Sequence, residues 1–168
     1  MPNKLTIEQV MAELSVATGH LTALSVRLTP SHLLTAPAPG EWSFAEVFAH
    51  LRGCADVWGD AIQRARDAKP SAVARDGRET LAWMKGAGYV DEEFSGSLTA
   101  FSAQRAELLG LLAELTPQDW ARSVTVRRAG KLREESVLSY AQHLTGHELR
   151  HRGELERLVK QVLASELA

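Results

Sequence analysis

Apolar residues recur at alternating steps of four and three over four long segments, and each segment reads as an amphipathic helix. The first runs from about Thr6 to Leu28. Val10, Leu14, Ala17, Leu21, Leu24 and Leu28 form its stripe, and Thr6 with Gln9 makes a capping box at its start. The second begins on Ser43, with Glu46 as capping partner, and carries Val47, His50, Leu51, Cys54, Val57, Trp58, Ala61, Ile62 and Ala65 on its inner side. Lys69-Pro70 stops it, because proline has no N–H and disfavours helix in the residue before it. The third spans roughly Glu92 to Leu115, with Phe94, Leu98, Phe101, Leu108, Leu112 and Leu115 on its face. The fourth runs from about Glu134 to Ser165, with Val137, Tyr140, Ala141, Leu144, Leu155, Leu158 and Val162 turned inward.

The connections carry weaker signals. Thr29 to Glu41 holds prolines at 30, 37 and 39 and a glycine at 40, which predicts a loop with a short turn at Ser31–Leu34. From Ser71 to Asp91 the periodicity fades. Arg78 to Lys85 reads as a short helix broken by Gly86 and Gly88, and a connection this long suits a crossover better than a hairpin. Thr116-Pro117 ends the third helix and starts a short turn through Trp120. Ser123 to Arg133 alternates briefly at Val124 and Val126 without a recognisable partner strand, and is expected to be an extended loop. Four striped helices and almost no strand predict an all-α four-helix bundle, a single domain over residues 1–168.

Charge narrows the partners. The chain has 168 residues and a net charge of −2, so no basic field points to nucleic acid. Its longest basic run, Val126 to Arg133, is followed at once by Glu134 and Glu135 and reads as a solvated loop. The single cysteine, Cys54, excludes an intrachain disulfide. The N-terminus lacks the apolar run of a signal peptide, and no segment reaches the length of a membrane span. The expectation is a cytoplasmic protein.

Six histidines are distributed unevenly. His20 and His32 stand alone and read as surface or capping residues. His143, His147 and His151 follow one another at intervals of four on the fourth helix. Neighbours in such a series lie one turn apart on the same side, and a pair of them can bind one metal ion. All three cannot reach one ion easily, since the outer two are about 12 Å apart along the axis. The apolar stripe centres near His151, Tyr140 and Leu158. His147 lies about 40° from that line and His143 about 80°. His147 and His151 therefore form the inward pair, and His143 flanks it. A third ligand should come from a facing helix, where His50 sits on the apolar stripe between Val47 and Cys54. Three imidazoles with an open position make a catalytic type of metal site. The competing reading is that each is a satisfied core or boundary histidine. Cys54, one turn after His50, is either a further ligand, a nucleophile, or a small buried apolar residue. His147-Glu148-Leu149-Arg150-His151 also matches the short H-E-x-x-H zincin pattern, but no sheet for a peptide substrate accompanies it. Glu148 instead orients a ligand or faces a neighbouring helix.

The two stretches Trp42-Ser43-Phe44-Ala45-Glu46-Val47-Phe48-Ala49-His50-Leu51 and His147-Glu148-Leu149-Arg150-His151-Arg152-Gly153-Glu154-Leu155 resemble the helix-two and helix-four signatures of the DinB-like (DinB/YfiT) superfamily of metal-dependent proteins. The third helix's Arg105-Ala106-Glu107-Leu108-Leu109 extends the likeness along the chain. The resemblance implies a bundle with a three-histidine site for nickel or zinc, its ligands falling on His50, His147 and His151. It also implies a homodimer, for which Trp58 and Trp83 are candidate interface residues. Glu154 departs from the pattern, standing where many members have glutamine. Several relatives are thiol-S-transferases or isomerases that use a low-molecular-weight thiol. The resemblance thus implies a metal-dependent enzyme acting on a small-molecule substrate; Arg52, Arg150 and Arg152 are candidates for holding a carboxylate of the thiol, or equally are surface salt-bridge partners. The alternative is a non-catalytic metal-binding stress-response or scaffold protein.

Overall fold

Capping boxes set where most helices begin. In the computed structural model, which describes residues 4–69, 86–128 and 131–165, Thr6 opens α1 (Ile7–Ser25), Thr29 opens α2 (Pro30–Leu34) and Ser43 opens α3 (Phe44–Arg66). In each, the cap hydroxyl accepts from a backbone N–H three residues on, and that residue's side chain bonds back to the cap. Glu93 caps α4 (Phe94–Ala113), and Thr116 with Asp119 opens the short α5 (Pro117–Ala121). The last helix, α6 (Val137–Ser165), has 29 residues and is the longest element.

α1, α3, α4 and α6 form the bundle: α6 packs on α1 and α3, and α4 packs on the other side of the same two helices. Val10, Leu14, Leu21, Phe48, Leu51, Phe101, Leu108, Tyr140, Leu144 and Leu155 meet in the core, each almost fully buried. Phe48 anchors the α3–α4 contact, its ring edge-on to Phe94 and Phe101. Nearby, Gly59 leaves room for the Gln104 amide, since a Cβ there would stand 2.6 Å from its Nε2, which donates to the Ala55 carbonyl. Among the described residues no helix is long and apolar enough to cross a membrane.

The loop expected after the third helix is instead a hairpin. β1 (Ser123–Arg128) pairs antiparallel with β2 (Lys131–Ser136), from Ser123 opposite Ser136 to Arg128 opposite Lys131. Val124 and Val126 turn into the core as their alternation suggests. The partner strand escapes a pattern search because its one apolar residue, Leu132, is exposed, while the buried position is Glu135, whose carboxylate accepts from Ser139 Oγ. Glu134 to Ser136 consequently belong to β2, and the fourth helix starts at Val137. The expected turn at Ser31–Leu34 is α2. His32 there is buried and not at the surface, although its capping role holds: its Nδ1 accepts from the Thr29 N–H. His20 pairs with Glu156 across α1 and α6. The expected short helix at Arg78–Lys85, and Trp83 with it, lie outside the described residues.

Candidate metal centre

His50 projects from α3 and His147 and His151 from α6, the two helices in closest contact across the bundle. Their rings gather in a triangle, with centroids 4.9 Å apart from His50 to either partner and 4.5 Å apart between His147 and His151. The Nε2 atoms of His50 and His147 stand 3.0 Å apart. One nitrogen from each ring lies within 4.8 Å of the other two. Donors at about 2.0–2.1 Å from a tetrahedral ion stand on the order of 3.4 Å from each other, so the triangle is of the right size for one divalent cation.

The chemistry of the three rings fits the same use. Burial holds the His50 pKa down to about 4, with the neighbouring His151 adding to the effect. Burial likewise lowers His147 to about 3, helped by the His151, His50 and Arg150 charges. Both rings are therefore neutral at physiological pH, the form that offers a lone pair to a metal. The Nδ1 of His147 is buried and has no hydrogen-bond partner among the described residues. The third ring is tied differently: His151 Nδ1 lies 2.7 Å from Glu154 Oε2, one turn further along α6. Trp42 stands edge-on to His50 at 5.5 Å. Two residues before Trp42 the chain turns at Gly40, whose φ of +84° lies in the left-handed region open to glycine.

The remaining candidates divide. His143 is exposed and apart from the triad, its ring stacked on Trp58 at 5.7 Å and its Nδ1 donating to the Ser139 carbonyl. Cys54 is buried with Sγ 3.7 Å from His50 Nε2, and burial followed by the Glu148 charge pushes its thiol up to about 12. Glu148 faces a neighbouring helix: it is buried and forms a bidentate pair with Arg105 of α4, with Nη1 to Oε2 at 2.8 Å. The H-E-x-x-H string therefore lacks the free general base a zincin needs. Of the arginines, Arg52 pairs with Glu92 and Arg152 with Glu13, while Arg150 is exposed. Trp58 packs within the chain against Tyr140 and His143.

Arg105 is the part of this region that residue-by-residue site reasoning missed. It is 2% exposed, lies over the Phe101 ring, and reaches the Leu14 carbonyl of α1. The signal was present, because Arg105 occupies the gap between Phe101 and Leu108 in the apolar stripe of the third helix. Beside the triad, a cleft of about 320 Å³ is lined by Glu41, Trp42, Glu154, Arg157, Leu158 and Gln161. Trp42 and Glu154 form its boundary with His50 and His151.

Comparison with solved structures agrees with this architecture. YfiT from Bacillus subtilis, described as a probable metal-dependent hydrolase with an unusual four-helix bundle topology, superposes with a TM-score of 0.66 at 23% identity, over 94% of this chain and 91% of that one. A mycothiol-dependent maleylpyruvate isomerase superposes with a TM-score of 0.68 at 13% identity, over 96% of this chain and 69% of its own. The four-helix bundle protein TT2238 gives 0.63 at 20% identity, over 90% and 99%. At these identities the likeness concerns the fold. No curated protein sequence matches the chain. The sequence pattern of the DinB superfamily matches residues 6–155, nearly the whole of the bundle, and the chain belongs to that superfamily.

Proposed function

We propose that the protein is a metal-dependent enzyme in which His50, His147 and His151 hold one divalent ion, nickel or zinc, and which transfers a low-molecular-weight thiol to a small electrophile. The observation that carries this reading is the convergence of three imidazoles, two of them held neutral by burial. The mycothiol dependence of the structurally similar isomerase supports a thiol as cosubstrate. A divalent ion bound there would favour the thiolate form of a thiol that reaches it.

The chain's own residues do the rest. In the metal-free chain, burial and then the Glu148 charge push the Cys54 thiol up beside His50, which disfavours it as the attacking sulfur. This reading takes the attacking sulfur from the cosubstrate. The cleft beside Trp42 and Glu154 is large enough for part of such a molecule, and Arg157 on its wall suits a carboxylate. With a chlorinated aromatic acceptor, the sulfur–carbon bond forms, the carbon–chlorine bond breaks with its electron pair on chloride, and the thiol proton passes to solvent.

The test joins metal content to rate. His50→Ala, His147→Ala and His151→Ala should each lose most of the bound metal by elemental analysis, and His143→Ala should keep it. Metal-loaded protein should accelerate thiol transfer from bacillithiol, mycothiol or glutathione to a chlorinated aromatic. Chelation or His147→Ala should abolish the acceleration, and Cys54→Ser should retain it. Bound metal without any acceleration would favour the non-catalytic binding protein.

A further inference from the structure

We propose that Glu154 is a positioning residue for the triad: its carboxylate fixes the tautomer and ring angle of His151 and thereby aims the Nε2 lone pair at the other two imidazoles. The inference rests on the metal reading of the site for its consequence but not for its geometry.

A neutral imidazole carries its proton on one nitrogen only, and the hydrogen bond made by one nitrogen decides the role of the other. An ionised carboxylate can only accept. The contact of 2.7 Å between His151 Nδ1 and Glu154 Oε2 therefore favours the tautomer with its proton on Nδ1, which in the neutral ring leaves the Nε2 lone pair for an ion. The distance lies at the short end for N–H···O bonds, as expected where the acceptor carries charge. Both residues belong to α6, three positions apart, so the bond is built into one turn of helix and does not depend on how the bundle packs.

The other two rings have no such partner among the described residues. His147 Nδ1 is buried without a hydrogen bond. The polar neighbours of His50 are the His147 ring and the Cys54 sulfur, 3.7–3.8 Å from its two nitrogens. They are held by burial and packing, with Trp42 against His50. The His151 side chain is 18% exposed and that of Glu154 35%. At that exposure the pair adds little to folding stability. Its effect falls on ring orientation, and carboxylates in this relation to a ligating histidine typically change metal affinity 10–100-fold. Glutamine, which keeps the acceptor and loses the charge, should be intermediate.

The experiment compares wild type, Glu154→Gln and Glu154→Leu in the full chain. Nitrogen-15 NMR of the imidazoles in the metal-free protein, with His151 assigned from a His151→Ala spectrum, reads the tautomer. A chromophoric chelator competing for zinc reads affinity, and urea unfolding reads stability. The expected result is a His151 Nδ1–H tautomer in wild type that gives way to a mixture in Glu154→Leu. Zinc binding should weaken 10–100-fold in Glu154→Leu and by less in Glu154→Gln, with the urea midpoints nearly unchanged. An Nε2–H tautomer in wild type overturns the proposal, as does zinc affinity in Glu154→Leu within twofold of wild type. Wild-type protein that takes up no zinc overturns the metal reading instead, and the tautomer alone then decides on Glu154.

Discussion

Replacing one member of the Arg105–Glu148 pair should destabilise the bundle far more than replacing both. Arg105 is 2% exposed and Glu148 8%, and the guanidinium meets the carboxylate through two contacts. Arg105→Met leaves the Glu148 charge in the core without a partner. Glu148→Leu leaves Arg105 likewise without a countercharge, with the 3.5 Å contact to the Leu14 carbonyl and the Phe101 ring beneath it. Stranding a buried charge costs about 3–5 kcal/mol, whereas an apolar pair of similar volume is often neutral or stabilising. A domain of this kind has about 5–15 kcal/mol in all, so either single variant should use up a large share of it. With a urea slope of about 2 kcal/mol per molar, a loss of about 4 kcal/mol moves the midpoint down by about 2 M. The double variant Arg105→Met/Glu148→Leu should return to within about 1–2 kcal/mol of wild type, which makes the coupling energy in a double-mutant cycle several kcal/mol. The measurement is equilibrium urea unfolding of all four proteins with chelator present. A single variant that loses less than about 1 kcal/mol, the worth of an exposed pair, would show that the carboxylate is hydrated and the reasoning wrong. So would strict additivity. Glu148 lies between two residues of the triad, so the pair also fixes the rotation of α6 about its axis. The double variant should accordingly bind zinc several-fold more weakly while keeping its stability.

The metal-free protein should lose stability as pH falls from about 6.5 toward 4. His50 and His147 take up protons in the unfolded chain near their ordinary value of 6.5 but in the folded protein only near 4 and 3, so the unfolded state binds more protons throughout that window. Each contributes up to about 1.4 kcal/mol per pH unit, less for His50, whose partial solvent contact screens the charge. Denaturant midpoints at pH 7, 6 and 5 check this, and a His50→Gln/His147→Gln variant should be much flatter over the range; a wild-type midpoint constant from pH 7 to 5 refutes it. A homodimer is expected from the family resemblance, and light scattering at tens of micromolar should give twice the monomer mass. A clean monomer mass at that concentration refutes it.

Periodicity made the bundle and the choice among histidines legible. Val10, Leu14, Leu21, Leu51, Leu108, Leu144 and Leu155 all sit on predicted stripes and all are buried. The same helical phase separates His143, exposed and stacked on Trp58, from His147 and His151, which face His50. What failed were features set by particular tertiary partners that no apolar stripe records. β2 carries no alternation because its inward residue is a glutamate satisfied by Ser139, so only the pairing with β1 reveals it as a strand. His32 is readable as a cap from its spacing to Thr29, but its burial depends on the elements packed over it. Arg105 interrupts an apolar stripe visibly, yet its partner Glu148 lies 43 positions away.

Glu148 links two features that look separate in the sequence. Its charge is needed in the core to satisfy Arg105, which also spans to α1. The same charge, after burial itself, is what raises the Cys54 thiol. Burial, with the Glu148 charge adding to it, thus disfavours the thiolate of the one cysteine near the triad in the metal-free protein. Burial meanwhile keeps His50 and His147 deprotonated a few ångströms away. A neutral thiol is a poor ligand and a poor nucleophile, whereas neutral imidazoles are good ligands. In the metal-free protein burial therefore sorts the residues by role: it leaves His50 and His147 with a lone pair for an ion and disfavours the Cys54 thiolate beside them. That sorting is why the proposed reaction draws its sulfur from a diffusible thiol, and why Cys54→Ser should leave the rate intact while His147→Ala should not.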